Sequence, residues 1–413
     1  MKQERAFPRL SITKKAEASV RLGHPWIYDA EVRGETDALE NGSFVDAVSE
    51  KGTYLGTGFI SKRSKIRIRL LSSNANDRFD DAFFMRRIKY ALDYRKTVMG
   101  ADYDCCRLIF GEADGLPGLT IDRYHDVLVS QVLSVGIERI KGTLYRLLTE
   151  LLKEEGVEIR GIFERNEVSI RELEGLPLEK GWYHAEFLPE PPSPLIEIVE
   201  NGIRYAVDVE NGQKTGFFLD QKYNRLATAK LARGKRVLDC FTHTGSFAIT
   251  ALMGGAAHVT AVDVSQAAVD LARGNAALNG MTERIDFVCA DVFDLLPQLI
   301  EQRAAYDLIV LDPPAFTKSR KTIQGAERGY RTINYNAMKL LPRGGYLATC
   351  SCSHFMESDM FLRMLLSASR EAGVSLKLVE ARRQSPDHPT LMNVPETDYL
   401  KFYLFQVDRK SVV

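Results

Sequence analysis

The chain has 413 residues, and its 55 basic and 55 acidic side chains give a formal net charge of zero. At roughly 150 residues per domain, this length predicts two or three domains. The charge balance excludes a chain that is basic throughout, so any nucleic-acid surface has to be local. No run of about 18 apolar residues is present, and the charged start MKQERAFPRL lacks a signal core, so we expect a cytoplasmic protein without a membrane span.

The six cysteines show neither CxxC pairs nor a regular spacing. This pattern argues against a disulfide framework and against a structural zinc site. We therefore expect free cysteines in a reducing compartment and no bound metal.

The first 75 residues contain short strand-like runs broken by glycines, which is typical of a small β-barrel or sandwich. Within SKRSKIRIRL (61–70), Lys65, Arg67 and Arg69 alternate with apolar residues, so a strand here has one basic face. That face is either an ordinary solvated surface or, together with Lys62 and Arg63, a surface that contacts RNA phosphates.

An amphipathic helix is predicted over 77–99, where apolar residues recur at three- and four-residue steps. Strand-like runs and one helix over 103–185 indicate an α+β module. The proline-rich stretch LPEPPSPL (188–195) predicts a boundary. We therefore divide the chain into domains at 1–75, 76–190 and 191–413.

From about residue 196, apolar strand-like runs alternate with helical stretches. This alternation predicts an α/β fold in which helices cover both faces of a parallel, Rossmann-like sheet. Because ligands in such folds bind beyond the carboxyl ends of the strands, the residues that follow each strand are the candidate site.

The first of these strands ends in VLDCFTHTGSFAI (237–249). Asp239 closes the strand, Thr244 and Gly245 form the turn, and Ser246 is predicted to cap the next helix. The pattern is not GxGxxG, which disfavours a nicotinamide cofactor.

Carboxylates also follow the second and third strands. Asp263 is placed to bind ribose hydroxyls, and Asp291 could accept from an adenine amino group. A single Asp here could merely cap a helix, but three at successive strand ends favour an adenosine-containing ligand. Since no phosphate-binding lysine or glycine run is present, S-adenosylmethionine fits better than a nucleotide.

The fourth and fifth strands carry the candidate catalytic residues. Asp312 precedes two prolines that force a rigid exit from the strand, and the run TCSCS brings Cys352 to the same edge. We expect Asp312 and Cys352 to project from adjacent strand ends. We expect Cys350 to be a buried apolar residue.

Several motifs together resemble a known family. HPWIYDAEV, RLIFGEADGLPGLTIDRY (107–124), NGQKTGFFLDQKYNR (211–225), DCFTHTGSFA, LDPPAF, RGYRTIN and SCS occur in that order. They resemble the class I S-adenosylmethionine-dependent methyltransferases of the ribosomal large-subunit methyltransferase I group, which form 5-methylcytosine in large-subunit ribosomal RNA. The resemblance extends over nearly the whole chain.

The resemblance implies an N-terminal RNA-binding PUA domain, a central α+β domain and a C-terminal methyltransferase domain, and makes a homodimer plausible. It favours the RNA-binding interpretation of the basic strand face. It also implies a donor pocket that includes, with Ser246 and Asp312, the residues Lys214, Thr215, Phe217, Asp220, Gln221, Asp239, Phe241, Thr244, Gly245, Asp263 and Asp291.

The chemistry follows from cytosine, whose C5 is a poor nucleophile until a thiolate adds at C6. We assign that thiolate to Cys352 and the acidic partner near N3 and N4 of the ring to Asp312. Pro314 stands where many RNA cytosine methyltransferases have a second cysteine, so the group that assists release stays open. Two alternatives remain: N-methylation of a guanine through Asp312-Pro313-Pro314, and a non-catalytic RNA-binding assembly factor.

Overall fold

The computed structural model describes residues 7–317 and 319–409, and its internal contacts divide the chain into two compact units. The first unit runs to Ile196 and adds Val207–Leu219 and Pro386–Thr397. The second comprises Glu197–Ala206, Asp220–Ser385 and the chain from Asp398 onwards. The finer division at residues 75 and 190 stays a prediction.

The first unit begins with a six-stranded mixed sheet. Its elements are β1 (Arg9–Ile12), α1 (Lys14–Arg21), β2 (Trp26–Tyr28), β3 (Val32–Arg33), β4 (Phe44–Val48), β5 (Tyr54–Ile60) and β6 (Ile66–Ser72). The strand order is β2-β6-β5-β4-β1-β3, with β1 and β4 parallel and the other pairs antiparallel. Alternate side chains such as Ile12, Val45 and Ile68 point inwards and form a fully buried core.

A five-stranded sheet and its helices complete the main body of this unit. They are α2 (Asp81–Met99), β7 (Cys105–Phe110), β8 (Leu119–Tyr124), β9 (Val127–Val132), α3 (Val135–Glu154), β10 (Gly161–Asn166), α4 (Ile170–Glu174) and β11 (Glu179–Trp182). The strand order is β11-β10-β9-β8-β7, and α3 makes the crossover between the parallel strands β9 and β10.

The predicted amphipathic helix is confirmed as α2, which starts four residues later than the pattern suggested. Asp80 caps it by accepting a hydrogen bond from the Phe83 amide at 2.9 Å. The helix buries Phe84, Ile88 and Leu92 on one face. A two-stranded sheet of β12 (Leu195–Glu200) and β13 (Ile203–Asp208) follows the proline-rich stretch.

The second unit contains a seven-stranded sheet with the order β16-β15-β14-β17-β18-β20-β19. Its strands are β14 (Arg236–Cys240), β15 (His258–Asp263), β16 (Ile285–Cys289), β17 (Leu308–Leu311), β18 (Tyr346–Ser351), β19 (Val374–Arg382) and β20 (Lys401–Arg409). The helices are α5 (Lys222–Ala229), α6 (Ser246–Met253), α7 (Gln266–Leu278), α8 (Val292–Glu301), α9 (Ile323–Leu340) and α10 (Ser358–Ala372).

The predicted parallel sheet is confirmed for the five strands β14 to β18, which pair with one another in parallel. The last strand differs, because β20 inserts between β18 and β19 and is antiparallel to both. An antiparallel partner needs no crossover helix, and the connection between β19 and β20 instead includes Pro386–Thr397, which belongs to the first unit. This order sets the carboxyl ends of β15, β14, β17 and β18 side by side.

Candidate active site

The loop after β14 has a strained backbone. Phe241, His243 and Gly245 have φ values of 65°, 49° and 79°, in the left-handed region that favours glycine. Such strain persists only where the surrounding structure enforces it, and it is concentrated at functional sites. The helix α6 begins directly after Gly245, which is its N-cap residue; the prediction that Ser246 caps this helix was therefore wrong by one position.

Asp239 lies fully buried beneath this loop. Its Oδ2 accepts hydrogen bonds from the Thr242 hydroxyl at 2.6 Å and from the Ala248 amide at 3.0 Å. Burial raises the pKa of this carboxyl to about 7. Its Oδ1 and the hydroxyl of Thr244 are buried without a hydrogen-bond partner among the described residues.

Asp263 and Asp291 follow the neighbouring strands, as expected. Asp263 accepts from the amides of His243 and Ser265, both at 2.9 Å, and so fixes the β14 loop to the end of β15. Asp291 is exposed and caps α8 by accepting from the Phe293 amide at 2.8 Å. Burial lowers the pKa of His243 to about 4, so this imidazole is neutral near pH 7.

A second group of acidic residues surrounds the end of β17. Asp312 accepts from the Gln221 side-chain amide at 2.9 Å. Its pKa is raised to about 7, first by burial and then by the nearby charge of Asp220. Asp220 accepts from the Tyr399 hydroxyl at 2.6 Å, and its Oδ1 is buried without a hydrogen-bond partner in the described part of the chain.

The two cysteines of TCSCS have different environments. Cys350, within β18, is fully buried in an apolar cluster, as expected for a core residue. Cys352, just beyond β18, is half-buried, and its thiol lies 3.8 Å from the carbonyl oxygen of Pro313. Because β17 and β18 are paired neighbours, Asp312 and Cys352 follow adjacent strand ends.

Lys401, at the start of β20, is a buried cation beside this cysteine. Its ammonium donates to the carbonyl oxygens of Ser353 at 2.6 Å and Tyr399 at 2.8 Å. Burial lowers the pKa of Lys401 to about 8, and attraction to Cys352 partly opposes that decrease. The Ser353 hydroxyl in turn lies 2.9 Å from the buried Tyr330 hydroxyl.

A buried ion pair lies next to the end of the loop that follows β14. Arg225 on α5 binds Glu200 through two hydrogen bonds at 2.7 and 2.8 Å, and both side chains are almost completely excluded from solvent. The same guanidinium reaches the Ser246 hydroxyl at 3.5 Å, at the start of α6. Its positive charge acts on both Asp312 and His243.

Sequence reasoning missed Lys401, Arg225 and Tyr330. The available signal for Lys401 was a single cation in LKFYLFQV, an otherwise apolar strand. Nothing in the residues around 200 and 225 indicated that Arg225 would pair with Glu200.

Three residues assigned to the donor pocket, Lys214, Thr215 and Phe217, lie in the first unit. Thr215 donates to the buried Asp122 carboxylate at 2.5 Å, Phe217 is buried, and Lys214 is exposed. Their contribution to the donor pocket stays a prediction.

The predicted basic face of β6 requires a correction. Arg69 is buried and pairs with Glu174 at 2.7 Å, and Arg67 pairs with Asp29 at 2.5 Å. The buried Glu174 carboxylate and the exposed Asp29 carboxylate already pair with these guanidinium groups, so Arg67 and Arg69 do not form a continuous phosphate-binding stripe. The Lys62 ammonium donates to the Asp37 carbonyl at 2.5 Å. Arg63 and Lys65 are exposed and remain candidates for RNA contact.

The polar groups at these strand ends fit S-adenosylmethionine better than a metal ion. The buried, unpartnered oxygens of Asp220, Asp239 and Thr244 are suited to accept from an amino cation and ribose hydroxyls. No group of three or more His, Cys, Asp or Glu residues suited to hold a metal occurs in residues 7–317 and 319–409. In the same ranges, no helix is long and apolar enough to cross a membrane.

Fold and site together define a class I S-adenosylmethionine-dependent methyltransferase with a PUA-like N-terminal domain. A family model described as S-adenosylmethionine-dependent methyltransferase matches residues 181–406, and a PUA-like model matches residues 10–73. The methyltransferase SMU.776, solved in complex with SAH, superposes with a TM-score of 0.83 at 21% identity. It covers 97% of this chain and 100% of its own, and shows the same fold.

Curated relatives identify the family within this class. The ribosomal RNA large subunit methyltransferase I of Klebsiella pneumoniae (strain 342) is 40% identical over 403 residues, which cover 97% of this chain and 98% of the relative. The protein of the same name from Escherichia coli O139:H28 is 40% identical over 401 residues, covering 97% and 99%. The chain therefore belongs to the ribosomal RNA large subunit methyltransferase I family.

Proposed function

We propose that this enzyme methylates C5 of a cytosine in large-subunit ribosomal RNA, with Cys352 as the covalent nucleophile. The position of the Cys352 thiol carries the proposal. It lies 3.8 Å from the Pro313 carbonyl, on the strand end next to Asp312. Methylation of an amino nitrogen would have no need for a thiol at this point.

The first step activates the ring. The Cys352 thiolate forms a bond to C6, and the electrons of the C5–C6 double bond shift towards N3. Asp312 is suited to meet this developing charge because its pKa of about 7 leaves it partly protonated near neutral pH. It can therefore donate a proton to N3, as a general acid whose pKa is close to the working pH.

When bound, S-adenosylmethionine would supply a methyl group that C5 takes from the sulfonium sulfur, with the neutral thioether S-adenosylhomocysteine as the leaving group. The residues that would hold S-adenosylmethionine are Asp239, Thr244 and Asp263 around the loop after β14, together with Asp220. The unpartnered buried oxygens of Asp220, Asp239 and Thr244 offer acceptors for the cationic amino group of the donor.

Release regenerates the enzyme. A base takes the proton from C5, the electron pair restores the C5–C6 double bond, and the thiolate leaves from C6. Pro314 occupies the place of a second cysteine, so the base comes from another group. We assign Lys401 a positioning role: its ammonium fixes the Ser353 carbonyl next to Cys352, and its charge stabilises the thiolate.

The substrate assignment rests on the relatives, which are named as large-subunit ribosomal RNA methyltransferases and share 40% identity across the chain. The PUA-like domain is consistent with an RNA substrate. A ribosomal substrate also implies work in the cytoplasm, and a homodimer is a further part of the proposal.

N-methylation of a guanine is the second candidate. The Asp312 carboxylate and the Pro313 carbonyl lie next to each other and could both accept from an amino group. A purely RNA-binding role would leave the unpartnered oxygens of the donor site unexplained. Calorimetry with S-adenosylmethionine tests that alternative, since an assembly factor would release no heat.

Mapping of ribosomal RNA from a deletion strain tests the proposal. Bisulfite sequencing and nucleoside mass spectrometry should show the loss of one 5-methylcytosine. Its recovery should fail with Cys352→Ala and succeed with Cys350→Ala, a matched control two residues away. Loss of a methylated guanine, or recovery with Cys352→Ala, would refute covalent carbon methylation.

A further inference from the structure

The first unit contains a cleft of about 620 Å³ that the proposed chemistry does not use. It lies between α2, the turn Gly111–Asp114 and the segment around Pro389 and Leu391. Its size falls within the roughly 300–1,000 Å³ of ligand sites. The turn belongs to the GEADG part of the motif RLIFGEADGLPGLTIDRY, which the methyltransferase site leaves without a role. We call this feature the α2 cleft.

The acidic side chains of the α2 cleft already have partners within the protein. Glu112 accepts from the Trp26 indole at 2.9 Å. Asp114 accepts from Arg95 at 2.5 Å and from the Phe110 amide at 2.6 Å. Glu112 also lies 4.0 Å from the Arg69 guanidinium, and Asp77, the third carboxylate of the cleft, accepts from the Ser72 hydroxyl at 2.5 Å and from the Asn74 side-chain amide at 3.2 Å. All three carboxylates are therefore held by groups of the protein.

Two side chains of the cleft, Arg86 and Tyr90, are exposed, and Arg86 also lies over the Phe83 ring at 6.0 Å. Arg86, Tyr90 and Tyr94 follow one another at four-residue steps and so form a stripe along one face of α2. Tyr90 is 68% exposed, and neither it nor the exposed Arg86 has a hydrogen bond or ion pair with any residue the structure describes. Tyr94 is oriented by its hydroxyl, which donates to the Pro386 carbonyl at 3.1 Å.

Arg87 is held in place inside the cleft. Its guanidinium donates to the Leu71 carbonyl at 2.7 Å and packs over the Phe83 ring. Gly115, with φ of 67°, leaves the necessary space, because a Cβ there would lie 2.1 Å from the Arg87 Nη1. Gly115 therefore leaves room for the half-buried Arg87 guanidinium, and its left-handed backbone conformation favours glycine at this position.

We propose that the α2 cleft binds a single-stranded segment of the RNA substrate, with a base stacked on Tyr90 and a phosphate on Arg86. Exposed aromatic rings beside arginines are the common means of holding unpaired nucleotides without reading their sequence. This inference rests on the proposed function, since it assigns a second contact to the same RNA. It places that contact outside the methyltransferase fold.

Fluorescence anisotropy with the full-length protein tests this contact. The probe is a fluorescein-labelled transcript of large-subunit ribosomal RNA, titrated over a series of potassium chloride concentrations. Tyr90→Ala should weaken binding about fivefold or more, whereas Tyr90→Phe, which keeps the ring, should bind like the wild type. Arg86→Gln should reduce the slope of log K against log salt by about 0.7, the value for one lost single-strand phosphate contact.

Lys153→Gln is the matched control, because Lys153 is an exposed helical cation that does not line the cleft. Equal losses in this control and in Arg86→Gln would overturn the proposal in favour of diffuse charge attraction. Wild-type affinity in Tyr90→Ala would also overturn it, and is the result expected if the cleft docks a protein. Failure of the proposed function would differ, since it would appear in the ribosomal RNA map, as loss of a methylated guanine or recovery with Cys352→Ala, and not in the RNA affinity of the Tyr90 variants.

Discussion

Replacing Asp239 by asparagine should weaken the binding of S-adenosylmethionine and raise the free energy of unfolding of the ligand-free protein. Burial raises the pKa of this carboxyl from its ordinary value of 3.8 to about 7, so the ionised form is unfavourable in the folded state. A difference of this size corresponds to about 4 kcal/mol, because each pKa unit is worth about 1.36 kcal/mol. The charge therefore destabilises the ligand-free protein, and we infer that it is retained to bind the cationic donor.

The pH dependence has a definite sign. The pKa of the Asp239 carboxyl is higher in the folded protein than in the unfolded chain. Below pH 3.8 the carboxyl is neutral in both states, and the free energy of unfolding is not reduced by its charge. As the pH rises to about 7, the carboxyl ionises more readily in the unfolded chain, and the free energy of unfolding falls. In Asp239→Asn, the amide oxygen can still accept from Thr242 and Ala248, while its NH₂ group is left unpaired at a cost of about 1–3 kcal/mol. We expect a net gain of about 1–3 kcal/mol at pH 8.

Urea unfolding of the ligand-free wild type and variant at pH 4, 6 and 8 measures this gain. The advantage of Asp239→Asn should grow between pH 4 and 7 and then level off. Calorimetry at pH 8 should show S-adenosylmethionine binding at least about tenfold weaker, from the loss of a hydrogen bond to a charged group. Asp291→Asn, a change at an exposed helix cap, is the control for stability. A variant that is less stable than the wild type at pH 8, or that binds the donor normally, would refute the reasoning.

Three further predictions concern the surroundings of this site. Arg225→Met should lower the free energy of unfolding by about 3–5 kcal/mol, because it removes the cation that is paired with the buried Glu200 carboxylate. A double variant with Glu200→Leu should recover part of that loss in urea unfolding. Lys401→Met should lower kcat about tenfold or more at pH 7, because the Cys352 thiolate loses a nearby positive charge. At higher pH the thiol ionises without that charge, so kcat should partly recover. A loss of kcat that does not depend on pH would contradict the role assigned to Lys401. Gly245→Ala should destabilise the protein by about 1–2 kcal/mol, since its φ of 79° disfavours a Cβ, and a thermal unfolding temperature equal to that of the wild type would contradict this.

The α/β architecture was predictable because most strands of the second unit are short apolar runs followed by a turn. The run RVLDCF became β14 (Arg236–Cys240), and the acidic residues expected at strand ends lie there. The direction of β20 was not predictable from such runs, since apolar periodicity carries no information about whether a strand returns antiparallel.

Site residues that directly follow a strand could be predicted from the sequence. Site residues that reach the site from a part of the chain distant in sequence could not. Asp312 and Cys352 could be placed because the ends of β17 and β18 are adjacent. Lys401 lies about 50 positions from Cys352 in sequence, and only the insertion of β20 beside β18 brings them together. The basic residues of β6 show a different limit of the sequence. Their period-two alternation identified a polar face, but it could not show that Arg69 would pair with Glu174 in the interior.

Trapping with RNA that contains 5-fluorocytosine tests the central claim most directly. Fluorine at C5 cannot leave as a proton does, so a thiolate that has added to C6 stays bound after methyl transfer. We expect a covalent protein–RNA complex on a denaturing gel, formed only with S-adenosylmethionine, with the adduct on the peptide that contains Cys352. Methylation of normal RNA without any trapped complex, or an adduct on another residue, would contradict it.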